Sequence, residues 1–64
     1  MTTYTNLILV DLLEEGDTII IDGEPTLVED LLENGTMDGV WVCTSTGHDR
    51  FFAYDDRVEL VVTS

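Results

Sequence analysis

Thr18-Ile19-Ile20-Ile21-Asp22-Gly23-Glu24 is the stretch that most directly indicates the fold. Isoleucine favours the pleated, half-buried backbone of a strand. An Asp-Gly pair tolerates the positive φ angles that a two-residue hairpin turn requires. The stretch therefore predicts a tight β-hairpin, with one strand before the Asp-Gly pair and a second strand from Glu24 onward.

Further turn signals divide the rest of the chain into short segments. They occur at Glu15-Gly16-Asp17, Asn34-Gly35, Asp38-Gly39 and Thr46-Gly47. The segments 40–44, 51–54 and 58–62 are rich in the β-branched and aromatic residues that strands prefer. The link Asp55-Asp56-Arg57 is short enough to form one helical turn. Short strands between frequent turns predict an all-β domain.

Two apolar segments also allow a helical interpretation. The i, i+1, i+4 spacing of an amphipathic helix occurs at Leu9, Val10 and Leu13, and again at Leu27, Val28, Leu31 and Leu32, with Pro25 and Gly35 as start and stop signals of the second helix. A strand with one bulge near Glu29-Asp30 would also place Val28 and Leu31 on one face. We favour a strand for 26–33, with the helix as the alternative.

Length and composition predict one small domain, 1–64. The chain has 64 residues, of which 44% are hydrophobic, enough for a single core. Apolar runs such as Leu7 to Val10 are far shorter than the roughly 20 residues that cross a bilayer, and no basic residue opens a signal peptide. We therefore expect a soluble, cytoplasmic protein that does not bind membranes. Cys43 is the only cysteine, so no internal disulfide can form.

Charge is the most unusual property of the sequence. Fourteen acidic residues stand against Arg50 and Arg57, with no lysine, for a formal net charge of −12. Such a chain is not expected to bind nucleic acid directly, because binding rests on cationic contacts to phosphates. Its field would attract proteins with a basic surface. Solubility, or adaptation to a salty cytoplasm, would explain the charge equally well.

A longer pattern resembles a known family. It runs from Leu13-x-x-Gly16-Asp17-Thr18-Ile19-Ile20-Ile21-Asp22-Gly23-Glu24-Pro25 to Val58-Glu59-Leu60-Val61, and it is similar to the SH3-like barrels of the KOW and translation-protein type. It looks closer still to small stand-alone proteins of actinobacteria and actinobacteriophages. The resemblance implies a small SH3-like barrel of five or six antiparallel strands with one short helical turn. Residues 1–10 could add an edge strand, or close the barrel against 58–62.

The resemblance also implies which side chains form the core. The inward-facing residues would be Ile19, Ile21, Val28, Leu31, Val40, Val42, Phe52, Tyr54, Val58, Leu60 and Val62, and alternation along each strand gives the same set. KOW modules that touch RNA carry basic residues, and this chain has no lysine. Ribosome or RNA binding is therefore not expected.

Trp41 and Phe51 are the strongest candidates for partner contact. If Val40 and Val42 face the core, alternation places Trp41 on the outer face, and Phe51 follows by the same argument. Exposed aromatic residues ringed by acids are typical of the centre of a protein interface. A register shifted by one residue would instead bury Trp41. The acidic residues assigned to this interface are Asp11, Glu14, Glu15, Asp17, Glu29, Asp30 and Glu33.

Catalysis and metal binding have little support in the sequence. His48 and Asp49 are adjacent in a predicted loop, Cys43 lies upstream across a turn, and no feature supplies an oxyanion site. The acidic pairs lack the ligand spacing of a calcium loop. We therefore expect a non-enzymatic protein without a cofactor or a dedicated metal.

Two functions from different classes fit these observations. The first is an acidic interaction module that binds a basic protein surface, for example a phage-encoded inhibitor that mimics nucleic acid in a host protein's binding cleft. The second is a structural subunit, of a virion or another complex, that assembles with copies of itself or with virion proteins through its edge strands. The first predicts strong salt dependence and a loss of binding on Trp41→Ala, and the second predicts self-association.

Overall fold

The computed structural model describes residues 2–33 and 38–63. Within these ranges the protein is all-β, with six strands and one short 3₁₀ turn at Val10–Leu12. The strands are β1 (Thr3–Leu9), β2 (Thr18–Ile21), β3 (Glu24–Leu32), β4 (Gly39–Thr44), β5 (Arg50–Ala53) and β6 (Arg57–Thr63). They form one antiparallel sheet in the order β1-β6-β2-β3-β4-β5, which leaves β1 and β5 at its edges.

The predicted β-hairpin is confirmed. Ile21 pairs with Glu24, and the two residues between them have positive φ, 53° at Asp22 and 82° at Gly23. This is the backbone twist that joins two strands through a two-residue turn. Pro25 follows in β3, opposite Ile20. In a two-residue hairpin the pair that closes the turn, here Ile21 and Glu24, is hydrogen-bonded, and hydrogen-bonded pairs alternate with non-hydrogen-bonded ones. Ile20 and Pro25 are therefore a non-hydrogen-bonded pair, so the proline nitrogen points away from β2 and no hydrogen bond to β2 is lost.

The strand prediction for 26–33 is also confirmed, with the bulge where it was expected. The register between β3 and β4 shifts between Val28 and Asp30. Val28 is fully buried and Leu31 is half-buried, so the extra residue keeps both on the inner side. The first half of β3 pairs with β2 and the second half with β4, so this strand connects the two parts of the sheet.

The core lies where these two parts face each other. Its buried apolar residues are Val10, Leu13, Ile19, Ile21, Val28, Val40, Val42 and Val58, with Ile8, Leu31, Phe52 and Leu60 packed against them. Two threonines are buried beside them and are hydrogen-bonded. Thr26 donates to the Glu24 carbonyl over 3.2 Å, and the Thr44 and Thr46 hydroxyls lie 3.2 Å apart. Both buried threonine hydroxyls therefore have a hydrogen-bond partner inside the core.

The segment 1–10 is an edge strand and the start of the helical turn. β1 pairs with β6 along its whole length, from Thr3 opposite Thr63 to Leu9 opposite Arg57. At Val10 the chain turns inward, and the Val10 amide donates to the Asp56 carbonyl over 3.1 Å. The helical spacing at Leu9, Val10 and Leu13 thus corresponds to a single 3₁₀ turn that buries Val10.

Two expectations were wrong. Tyr54 was expected to point inward, but it is 38% exposed. β5 ends at Ala53, so Tyr54 no longer follows the alternation of the strand. Its amide donates to the backbone carbonyl of Asp38 over 3.1 Å. The helical turn was expected at 55–57 but is found at 10–12. The β5–β6 link is a tight turn in which the Asp56 carboxylate accepts from the Ala53 amide over 3.0 Å.

The expected turn at Asn34-Gly35 lies outside the described residues. None of the helical segments in 2–33 and 38–63 is long and apolar enough to span a membrane.

Candidate interaction surface

An apolar row crosses three neighbouring strands on the outer face of the sheet. Trp41 of β4 pairs with Leu32 of β3 on one side and with Phe51 of β5 on the other. The three side chains are 37%, 49% and 43% exposed respectively. Val40 and Val42, which flank Trp41, are buried, so the expected outward register of Trp41 and Phe51 is confirmed. We call Leu32, Trp41 and Phe51 the aromatic row.

The aromatic row is held in place by a glycine. The Trp41 and Phe51 rings lie 6.5 Å apart between centroids and are tilted by 34°, within the range of attractive aromatic pairs. Gly39 lies opposite Ala53 at the start of β4. A Cβ at this position would overlap the Phe52 carbonyl and come within 2.8 Å of the Phe51 ring. The missing side chain therefore lets β5 and the Phe51 ring approach β4 closely.

Acidic residues flank one side of the aromatic row, around Cys43. Asp30 is the cross-strand partner of Cys43, and Asp49 accepts a hydrogen bond from the Thr44 amide over 3.1 Å. Partial burial, followed by the negative charges of Asp49, Asp30 and Glu29, raises the pKa of the Cys43 thiol. The thiol is therefore protonated near neutral pH, which disfavours it as a nucleophile.

A second acidic group lies at the other end of β4 and β5, around Tyr54. The Tyr54 hydroxyl donates to Glu33 over 3.4 Å. Burial raises the pKa of Tyr54, and the charges of Glu33, Asp11 and Asp38 raise it further. Since Leu32 precedes Glu33 directly, this group borders the aromatic row as well. Of the acids predicted for the interface, the structure thus brings Glu29, Asp30, Glu33 and Asp11 close to the two acidic groups.

The remaining predicted acids belong to a turn on a different part of the molecule. Glu14, Glu15 and Asp17 lie between the 3₁₀ turn and β2. The Asp17 carboxylate accepts from the Glu14 amide over 2.9 Å, and the Asp17 carbonyl accepts from the Val28 amide over 2.8 Å. These contacts stabilise the turn against β3. The described contacts do not connect the three residues to the aromatic row.

A separate open groove lies at the β2–β3 hairpin. It has a volume of about 330 Å³ and is lined by Ile21, Asp22, Glu24, Pro25, Thr26, Thr46 and His48. Asp22, one of its lining residues, forms an ion pair with Arg50, 2.5 Å between nitrogen and oxygen. Cys43 does not line this groove, so the structure does not place Cys43 and His48 in a shared site. Within residues 2–33 and 38–63, no cluster of three or more potential metal ligands is found.

Part of this surface was not predicted from the sequence. Leu32 was recognised as an apolar residue but not as a neighbour of Trp41, because that requires the β3–β4 register. Its outward direction could have been found from the bulge alone, since Leu31 on the inner side forces Leu32 outward. Asp38 and Asp49 were assigned to turns, and only the folded arrangement brings them near Tyr54 and Cys43.

Comparisons with protein-family models, with curated proteins and with solved structures found no match for this chain.

Proposed function

We propose that the protein is a non-catalytic interaction module that binds a basic surface of another protein through the aromatic row. The observation that carries the proposal is an exposed apolar row between two acidic groups. Buried at an interface, Trp41 and Phe51 would supply the apolar anchor. The acids around Cys43 and Tyr54 would attract the cations of the partner and exclude acidic proteins.

The arrangement favours arginine over other cations in the partner. A guanidinium can stack on the face of a tryptophan and still donate hydrogen bonds in its own plane. Asp30 lies opposite Cys43, the next outward-facing residue along β4 from Trp41. A guanidinium on Trp41 would therefore have a carboxylate within reach to accept its hydrogen bonds.

A partner that normally binds nucleic acid is one specific form of this proposal. A rigid body with a net charge of −12 presents a dense negative surface, and such a surface can occupy a cleft that otherwise binds phosphates. A phage-encoded inhibitor acting in the host cytoplasm would fit this role. It would also account for the absence of lysine.

We also propose that β2–β6 form a partly open barrel of the SH3-like type. The support is the strand order β6-β2-β3-β4-β5, in which the last strand returns beside the first of the five, together with the bulge that divides β3. In this view β1 is an addition to the β6 edge. The fold alone would not identify the partner.

The proposal is tested by binding experiments with variants. Tagged protein captures partners from the source-cell lysate at about 50 mM and about 500 mM salt, which screen exposed charges to different extents. The captured protein is then purified and its affinity measured. We expect binding to weaken at high salt, and Trp41→Ala to weaken it by tenfold or more, about the effect of losing an interface hot spot.

Two matched controls sharpen this experiment. Tyr4→Ala removes an exposed aromatic residue from β1 and should leave binding unchanged. Glu29→Gln with Asp30→Asn should weaken binding and reduce its salt dependence, whereas Glu14→Gln with Glu15→Gln changes the charge equally and should have the smaller effect. Binding that survives Trp41→Ala, or that both charge pairs affect equally, would reject the aromatic row as the site.

A structural role through the sheet edges is the second candidate function. The observation that favours it is β1, an edge strand whose Leu7 and Tyr4 are 65% and 45% exposed. An uncovered edge of this kind is a template for pairing with another strand. Assembly through β1 would be sensitive to Leu7→Lys and insensitive to Trp41→Ala, the reverse of the first candidate.

A further inference from the structure

The outer edge of β1 differs from the rest of the protein surface in its charge. Residues 1–10 contain no charged residue, although one residue in four of the whole chain is charged. Along the neighbouring strand β6, the charges opposite β1 are Arg57 and Glu59, which have opposite sign. The β1 edge is therefore close to neutral in a protein whose net charge is −12.

Within residues 2–33 and 38–63, the outer edge of β1 carries a regular set of backbone groups that no neighbouring strand uses. The Val10 amide donates to Asp56, which continues the β1–β6 register by one residue. Hydrogen-bonded pairs alternate along an antiparallel ladder, so the even-numbered residues Tyr4, Asn6 and Ile8 direct their backbone groups toward β6. The amides and carbonyls of Thr3, Thr5 and Leu7, together with the Leu9 amide, consequently point to the open edge, while the Leu9 carbonyl caps the 3₁₀ turn.

The usual protection of an edge strand is missing here. Lysine, proline, an inward-pointing charge or a bulge commonly prevents two edges from pairing. β1 reads TYTNLIL and pairs with β6 without a register shift, so it contains none of these devices. The other edge strand, β5, is shorter, four residues against seven, and begins with Arg50.

We propose that β1 pairs antiparallel with β1 of a second copy of the chain, forming a two-fold symmetric dimer with a continuous sheet. The occupant follows from charge and self-complementarity. Two copies that each carry a net charge of −12 repel each other at most faces, and the neutral edge is where this repulsion is weakest. An antiparallel pair of identical strands is self-complementary about a two-fold axis.

The register is restricted by the direction of the backbone groups. Within β1, the free groups are those of Thr3, Thr5 and Leu7 and the Leu9 amide, so odd-numbered residues must pair with odd-numbered residues of the second copy, for example Thr5 with Leu7. Such a register keeps Tyr4, Asn6 and Ile8 of both copies on one face. That face already carries Leu60 and Val62 of β6, so the dimer would extend the apolar surface across the two-fold axis.

This inference deepens the second candidate function, and it does not depend on the first. Dimerisation of two acidic proteins should strengthen as salt rises, because salt screens their repulsion. Binding to a basic partner should weaken under the same change. The two proposals can therefore fail independently.

The experiment combines sedimentation with amide hydrogen exchange on the wild-type protein. Sedimentation equilibrium from about 10 μM to about 1 mM covers the range of a weak, edge-mediated dimer, whose population depends on protein concentration. We expect a dimer that is favoured at high salt. Amides of Thr5, Leu7 and Leu9 should become protected as the protein concentration rises, while protection at Asn6 and Ile8 stays constant.

The matched variants are Thr5→Pro and Thr5→Ala. Proline removes an amide that faces the open edge and is not used by β6, so the fold should tolerate it while dimerisation falls at least tenfold. Alanine keeps the amide and should dimerise. If the proline variant does not fold, Leu7→Lys places a charge on the same edge and should have the same effect.

The outcomes that overturn the proposal are distinct. A protein that remains monomeric at the highest concentration and salt contradicts it. So does a dimer whose odd-numbered β1 amides exchange as fast as in the monomer, or a dimer that persists in Thr5→Pro and Leu7→Lys. A dimer that is lost only in Trp41→Ala would place self-association on the aromatic row instead.

Discussion

The two ends of the sheet both expose apolar side chains, but one end is uncharged and the other is surrounded by acidic residues. At the β1 end, Tyr4 and Leu7 lie on a strand without a single charged residue. At the β3–β5 end, Trp41 and Phe51 are similarly exposed but lie between two groups of acids. Apolar exposure alone would make the two ends equivalent. Charge separates them: we propose a second copy of the acidic protein at the neutral edge and a basic partner at the acid-flanked row.

The ends also differ in how firmly their backbones are fixed. β4 lies between β3 and β5 and buries Val40, Val42 and Thr44, whereas five of the seven residues of β1 are exposed. Changes in β4 should therefore reduce the free energy of unfolding, while changes in the outer part of β1 should affect association alone.

The largest loss of stability is expected for Gly39→Ala. The new methyl group would overlap the Phe52 carbonyl and the Ala53 Cα, which are backbone atoms and cannot rotate away. We expect the free energy of unfolding to fall by about 3 kcal/mol, the upper part of the range for overpacking. The Trp41 fluorescence should change too, because β5 and the Phe51 ring must move. Urea denaturation followed by fluorescence measures both effects.

Gly47→Ala provides the control for this prediction. Gly47 has a φ of 79° and no atom within 4 Å of an added Cβ, so alanine there costs only the backbone strain of about 1 kcal/mol. Equal losses for the two variants would show that Gly39 is not needed for the close approach of β5.

Local features of the fold were predictable from the sequence, and the order of the strands in the sheet was predictable only in part. The Asp22-Gly23 turn and the bulge near Glu29 depend on a few neighbouring residues, and both were found. The pairing of segment 1–10 with 58–62 was one of two alternatives, because the paired residues lie from 48 (57 − 9) to 60 (63 − 3) positions apart and alternation within a strand does not choose its neighbour. Tyr54 was misplaced for a related reason, because the alternation of β5 was extended one residue beyond the end of the strand.

A smaller effect is expected for a matched pair of valines at the two ends. Val42 of β4 is fully buried, and Val62 of β6 is half-buried opposite Tyr4. Val42→Ala removes two buried methyl groups and should lower the free energy of unfolding by about 1–3 kcal/mol. Val62→Ala should lower it by less than about 1 kcal/mol, because less apolar surface returns to water. Urea denaturation at one protein concentration compares them, and a larger loss for Val62→Ala would contradict the difference in rigidity.

The candidate site was predictable in its aromatic part and only partly in its acidic part. Trp41 and Phe51 follow from alternation around Val40 and Val42. The acids could be grouped in the sequence only by their position along the chain, and Glu14 and Glu15 were assigned to the same interface as Glu29 and Asp30. In the structure the first pair lies on a turn of its own, while Asp38 and Asp49, distant in sequence, reach Tyr54 and Cys43.

The smallest effect concerns two tyrosines of similar exposure, Tyr54 among acids and Tyr4 on the uncharged strand. Burial, then the charges of Glu33, Asp11 and Asp38, raise the pKa of Tyr54 above its ordinary value of 10.0. The folded state therefore holds this proton more tightly than the unfolded state does. The stabilisation is complete below about pH 10 and is lost as the pH rises through the pKa of the folded protein.

Tyr54→Phe should accordingly reduce the alkaline loss of stability, measured as the free energy of unfolding in urea between about pH 8 and pH 12. Cys43 also has a raised pKa and would add a loss of the same sign, so every protein in this comparison carries Cys43→Ser. Tyr4→Phe, which removes a phenol from the β1 end, corrects for the general effect of losing the hydroxyl. If the alkaline slope of Tyr54→Phe equals that of its parent, the acids around Tyr54 do not act on it, and the contrast between the two ends would be limited to the surroundings of Cys43.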